Sequence, residues 1–110
     1  MSTPMIANLE KLLGGPRDGA LLRYSLGNEW LKAGNAAAAA ARFREATELD
    51  PHYSAAWKLL GKALQESGNA AGAMAAYASG IAVAEARGDV QAAKEMGVFL
   101  KRLQKAAGTS

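Results

Sequence analysis

The chain has 110 residues, a formal net charge of +3 and no cysteine. That length suits one domain, able to bury roughly 65% of the surface its unfolded chain exposes. The missing cysteine excludes disulfides, zinc–thiolate sites and thiol nucleophiles, and the charge is too small to argue by itself for nucleic acid.

Alanine and leucine are abundant and β-branched residues are few, which is a helical composition. The predicted elements follow in chain order. Thr3 and Pro4 read as a cap and a first-turn proline. Met5, Ile6, Leu9, Leu12 and Leu13 then recur at helical spacing, predicting a helix over 4–13 that Gly14, Gly15 and Pro16 end. Asp18 is the expected cap of a second helix over 19–33, stopped by Gly34. Asn35 caps a third, running through six consecutive alanines to Leu49. Asp50-Pro51 is expected to stop the third helix and open a fourth over 51–67. Gly68-Asn69 repeats the Gly34-Asn35 punctuation before a fifth helix over 70–87. Gly88-Asp89 is a third stop-and-cap pair, and a last helix, counted with its cap, covers 89–106. Residues 107–110 read as a frayed tail. No alternating Val/Ile/Thr run predicts a strand. About six helices with short connections imply antiparallel neighbours in a single all-α domain over 1–110.

Sliding the sequence against itself exposes a period of ~34 residues. GNAA at 34–37 falls on GNAA at 68–71, and Leu26-Gly27 falls on Leu60-Gly61. Ala39 and Ala41 fall on Ala73 and Ala75, Phe43 on Tyr77, and Ala46 on Gly80. Within the alanine run, Ala39 is expected to be fixed by packing. Ala38 and Ala40 meet Gly72 and Met74 in the other copy, so their sites are expected to tolerate change.

This pattern resembles the tetratricopeptide repeat, a helix-turn-helix unit written W-x₂-L-G-x₂-Y…A-x₃-F…P. The first copy spans 20–53, with Leu26, Gly27, Trp30, Ala39, Phe43, Ala46 and Pro51. Arg23 stands where the family carries tryptophan. The second spans 54–87, with Trp57, Leu60, Gly61, Ala73, Tyr77 and Gly80, and Glu85 in place of the terminal proline, so the fifth helix can run longer. The glycines and alanines allow close helix approach, and Trp30, Trp57, Phe43 and Tyr77 read as core. The 4–13 segment fits half a degenerate repeat only loosely. In the last helix Lys94 and Glu95 occupy the Leu-Gly places, so it reads as a capping helix. Its expected apolar stripe is Val90, Ala93, Met96, Gly97, Leu100 and Leu103, with Lys94, Lys101, Arg102 and Lys105 on a solvated outer face.

The resemblance implies a short right-handed α-solenoid whose first helices line a concave groove that binds a peptide or protein segment, without catalysis. Residues expected to face that groove are Leu21, Tyr24, Asn28, Leu31 and Lys32 from the second helix, and Ala55, Lys58, Lys62, Gln65 and Glu66 from the fourth. Tyr24, Asn28, Lys58, Lys62 and Gln65 are the candidate ligand contacts. Asn28 with Lys58 and Lys62 would suit an acidic segment or a free carboxylate; two solvated lysines on an ordinary surface are the plainer alternative. The family's carboxylate clamp falls on Tyr24, Asn28, Leu59, Asp89 and Ala93, where only Asn28 agrees, so chaperone-tail binding is not implied.

No catalytic constellation emerges. GGPRDG at 14–19 follows a helix rather than a strand, so a dinucleotide site fails. Gly61-Lys62-Ala63 lacks the rest of a phosphate loop. His52 beside Asp50 reads as an exposed turn residue. No enzyme activity, metal or cofactor is expected. The C-terminal lysines lack interleaved exposed aromatics, which argues against nucleic acid. No apolar run approaches the ~18 residues of a membrane span. The N-terminus has no basic segment ahead of its apolar residues, so it does not read as a secretory leader; a cytoplasmic location is expected. The different-class alternative is self-association through apolar surface on the terminal helices, with Val98 and Phe99 as the clue; the reading leans to a monomer.

Overall fold

The computed structural model describes residues 3–108, which form six α-helices and, among the described residues, no strand. They are α1 (Pro4–Glu10), α2 (Ala20–Lys32), α3 (Ala36–Leu49), α4 (Ser54–Glu66), α5 (Ala70–Arg87) and α6 (Val90–Gly108). Each of α2 to α5 packs against the next in sequence, giving a stack of antiparallel hairpins.

Local chemistry sets most of the ends. Thr3 Oγ1 accepts the Ile6 amide at 3.2 Å, and Ile6 is fully buried against Leu22 and Leu26. The first helix is shorter than 4–13. Beyond Glu10 the Leu12 and Leu13 amides bond three residues back, to Leu9 and Glu10, so the chain tightens into turns. Asp18 does not cap α2, whose N-cap is Gly19 without a side-chain bond. Its carboxylate instead takes the Gly14 amide at 2.8 Å and the Arg23 guanidinium. Asn35 and Asn69 cap α3 and α5, accepting the Ala38 amide at 3.0 Å and the Gly72 amide at 2.8 Å. Gly34 and Gly68 before them take φ of +84° and +89°, a left-handed backbone glycine adopts without steric cost.

The fourth helix starts later than Pro51. Asp50 Oδ1 accepts the His52 amide at 3.0 Å, so 51–52 form an Asx-stabilised turn and α4 begins at Ser54. Pro51 still holds the loop, because its carbonyl accepts the Trp57 indole N–H at 2.8 Å. The fifth helix has 18 residues against 14 in α3, and ends at Gly88 with φ +74°. Asp89 then accepts the Ala92 amide at 3.2 Å and opens α6.

One core cluster runs from Ala39 and Phe43 through Leu60, Ala73 and Tyr77 to Ala84 and Met96. A second, Ile6 with Leu22 and Leu26, closes the N-terminal end, and Trp30 touches both. The glycines of the repeat permit the tightest contacts. A Cβ at Gly27 would lie 2.5 Å from the Phe43 ring, and one at Gly61 would overlap the Tyr77 ring as deeply. One at Gly80 would strike Met96 and the Trp57 Cβ.

Several expectations change here. Phe43 and Tyr77 are buried, but Trp30 and Trp57 are only half-buried and bridge core to surface. In the alanine run Ala39 is fully buried and Ala40, expected at an open site, is only 6% exposed. Ala41 and Ala75 recur yet both are exposed; helix propensity suffices for them. In α6 the Leu-Gly places fall on Met96-Gly97, not on Lys94-Glu95. Ala92, Met96, Gly97 and Leu100 stand as Ala56, Leu60, Gly61 and Leu64 do in α4, and Ala92 and Met96 are buried as Ala56 and Leu60 are. The longer α5 supplies the displacement. Val90, placed in the apolar stripe, is 60% exposed. The helix continues to Gly108, so 107–108 are not frayed, while 109–110 lie outside the described residues.

Candidate functional site

Helices α2, α4 and α6 together line one side of the stack, where three hollows adjoin. The first, about 350 Å³, is bounded by Asn28, Leu31, Lys32, Leu59, Lys62 and Glu66. The second, about 230 Å³, is bounded by Lys58, Leu59, Lys62, Glu95 and Phe99. The third, about 530 Å³, is bounded by Lys62, Gln65, Glu66, Tyr77, Phe99 and Arg102. Lys62 borders all three. Leu31, Leu59 and Phe99 are half-buried and supply apolar surface, while Lys62, Glu66 and Arg102 are exposed. The side chains alternate this way because α4 turns the 58/62/65 row toward solvent and the 56/60/63/64 row into the core.

Of the candidate contacts, Asn28, Lys58, Lys62 and Gln65 border these hollows and Tyr24 does not. The Tyr24 ring lies 4.8 Å from that of Tyr53 and 5.8 Å from that of Phe43, in an aromatic cluster. Lys58 Nζ is engaged by Glu95 Oε1 at 3.1 Å. Gln65 Oε1 accepts the Tyr77 hydroxyl at 3.3 Å. Burial, with the Glu66 charge, raises the Tyr77 phenol above its ordinary value, so it stays a donor at neutral pH. Lys62 has no ion-pair partner among the described residues. Sequence reasoning misses the contribution of α6, namely Glu95, Phe99 and Arg102, and the role of Leu59. Arg102 borders the groove rather than the outer face. Aligning Met96-Gly97 with Leu60-Gly61 is the signal that finds these residues.

Arg23, the departure from the repeat consensus, is the centre of a charged cluster away from the groove. Its Nη2 and Nε donate to the Asp18 carboxylate at 2.7 and 2.9 Å, and its Nη1 donates to Glu45 at 2.8 Å. Arg42 joins Glu45 at 3.0 Å and Glu10 at 3.6 Å. The cluster therefore ties α1, the 11–19 turn, α2 and α3. Hydrogen bonds from Arg23 and the Gly14 amide hold the Asp18 carboxyl well below the usual carboxylate range. Burial pushes Glu45 up, but the bonds from Arg23 and Arg42 outweigh it and its pKa is lowered. Bidentate geometry makes the cluster a brace for the N-terminal end.

Among the described residues, no group of three or more His, Asp or Glu side chains is placed to hold a metal ion. None of the described helices is long and apolar enough to cross a membrane. His52 is exposed in its turn.

A sequence model of the tetratricopeptide repeat matches residues 31–96. The chain is 52% identical over 102 residues to the TPR repeat-containing protein PA0015 of Pseudomonas aeruginosa, covering 93% of this chain and 97% of that one. The solution structure of protein BPP2914 from Bordetella parapertussis is 41% identical, with a TM-score of 0.81 over 99% of this chain and 95% of that one. A tetratricopeptide repeat domain protein from Salinibacter ruber, solved by NMR, is 33% identical, with a TM-score of 0.73 over 82% of this chain and 90% of that one. Tetratricopeptide repeats generally serve as non-catalytic protein–protein interaction modules, and on its repeat, its helical stack and these relatives this chain belongs to that family.

Proposed function

We propose that the groove between α2, α4 and α6 binds a peptide or protein segment carrying acidic residues beside apolar ones. One observation carries this reading: three adjoining hollows meet at Lys62, a cation without an ion-pair partner among the described residues, over the apolar surface of Leu59 and Phe99. A segment laid there buries apolar side chains against Leu31, Leu59 and Phe99 and presents carboxylates to Lys62 and Arg102. Lys58 contributes less, because Glu95 already occupies it. Glu66 in the same wall rejects strongly acidic runs and favours a segment with spaced charges.

The test is a two-dimensional NMR titration with an alternating Glu/Leu peptide and its Lys/Leu counterpart. The acidic peptide should move the amides of Asn28, Leu59, Lys62 and Phe99, and Lys62→Glu should weaken it on the order of tenfold. Equal responses to both peptides, or a Lys62 amide that stays still, refute the assignment. A second reading, self-association, is favoured by exposed Met5 (53%) and Leu21 (68%) at one end and Val98 (47%) at the other. Sedimentation distinguishes it: a mass independent of concentration removes it.

A further inference from the structure

The two internal repeats show what this chain seats on the glycine of a first helix. Gly27 receives the Phe43 ring from α3, and Gly61 receives the Tyr77 ring from α5, each from the following antiparallel helix. Gly97 holds the same place in α6, yet, its chain neighbours and its own helix backbone aside, nothing among the described residues lies within 4 Å of where its Cβ would be. The face around it is open. Val90, on the same stripe of the helix, is 60% exposed, and a hollow of about 370 Å³ opens beside it, lined also by Glu85, Gly88, Ala93 and Lys94. Lys94, Lys101 and Lys105 flank the face, all exposed and with no ion-pair partner among the described residues.

We propose that this face of α6 docks an acidic amphipathic helix from a partner protein, with an aromatic side chain seated on Gly97. The seat defines the aromatic, by the geometry the chain itself uses twice. The three lysines define the charge, and they disfavour a second copy of α6, which would set lysines against lysines. The surface is separate from the groove, whose side of α6 carries Glu95, Phe99 and Arg102.

The probe is a synthetic peptide of residues 70–87 carrying Ala71→Glu, Ala75→Glu and Ala78→Glu, titrated into the intact protein and followed by two-dimensional NMR. Amides of Val90, Lys94, Gly97 and Lys101 should shift. Gly97→Leu, which fills open space and so keeps the fold, should weaken binding on the order of tenfold. Tyr77→Ala in the peptide, and Lys94→Glu with Lys101→Glu in the protein, should do the same. The proposal is overturned by no shift at millimolar peptide, by shifts confined to Asn28, Leu59 and Lys62, by undiminished binding to the Gly97→Leu protein, or by a protein that dimerises through this face without peptide.

Discussion

Gly61 and Gly97 occupy the same place in α4 and α6, but only Gly61 is covered. Replacing a helix-interior glycine by alanine gains ~1 kcal/mol of helix propensity. At Gly97 that gain should be realised whole, because the new methyl meets nothing within 4 Å. At Gly61 the methyl would overlap the Tyr77 ring. That ring is 1% exposed, lies 5.5 Å from Phe99 and is bonded through its hydroxyl to Gln65, so it has little room to retreat. Overpacking of this kind costs ~1–3 kcal/mol. The two variants should therefore differ by the overpacking cost, or ~4–12 °C in Tm for a domain of this size. Thermal melts by far-UV circular dichroism measure it directly. A Gly61→Ala protein that melts at or above Gly97→Ala would refute the argument that the repeat glycines exist to admit the aromatic ring.

The alanine run makes a second comparison. Ala39→Leu should cost ~1–3 kcal/mol by overpacking, whereas Ala41→Leu, at an exposed site that also recurs, should stay within ~0.5 kcal/mol of the parent; urea midpoints distinguish them. Stability should also depend on pH through the Arg23 cluster. The Asp18 and Glu45 carboxyls are lowered in the folded state, so their contribution is fully present above their unfolded values and is lost as pH falls below them. Urea midpoints should therefore decline below about pH 4, and Arg23→Met should flatten that decline. An unchanged acid profile in Arg23→Met would mean that the cluster does not link folding to proton binding.

Much of the architecture was legible because the repeat is written in residues whose size is their function. Gly27, Ala39 and Phe43 return as Gly61, Ala73 and Tyr77, and a ring cannot sit on a helix unless a small residue lies beneath it. Asn35 and Asn69 are equally legible, since an Asx oxygen bonding forward to a helical amide is a local event. The groove was partly legible: helical spacing alone puts Asn28, Lys58, Lys62 and Gln65 on exposed sides of α2 and α4.

The rest depended on distance in space. Tyr24 has a groove-facing number, but its ring packs with Tyr53 and Phe43, and no local pattern encodes that contact. Lys58 and Glu95 lie far apart in the chain, so their pairing, and with it the unequal standing of Lys58 and Lys62, exists only once α4 and α6 pack. Asp18 carries the chemistry of a helix cap, yet Arg23 and the Gly14 amide compete for it and win. The place of α6 was decided the same way. Helix propensity and periodicity determined that 90–106 is helical, but the length of α5 and the burial of Met96 decided its register, which turned Phe99 and Arg102 into the groove and left Gly97 uncovered. Local backbone and size rules can be read from the order of residues; competition between distant side chains for the same partner or the same volume is settled only when the helices meet.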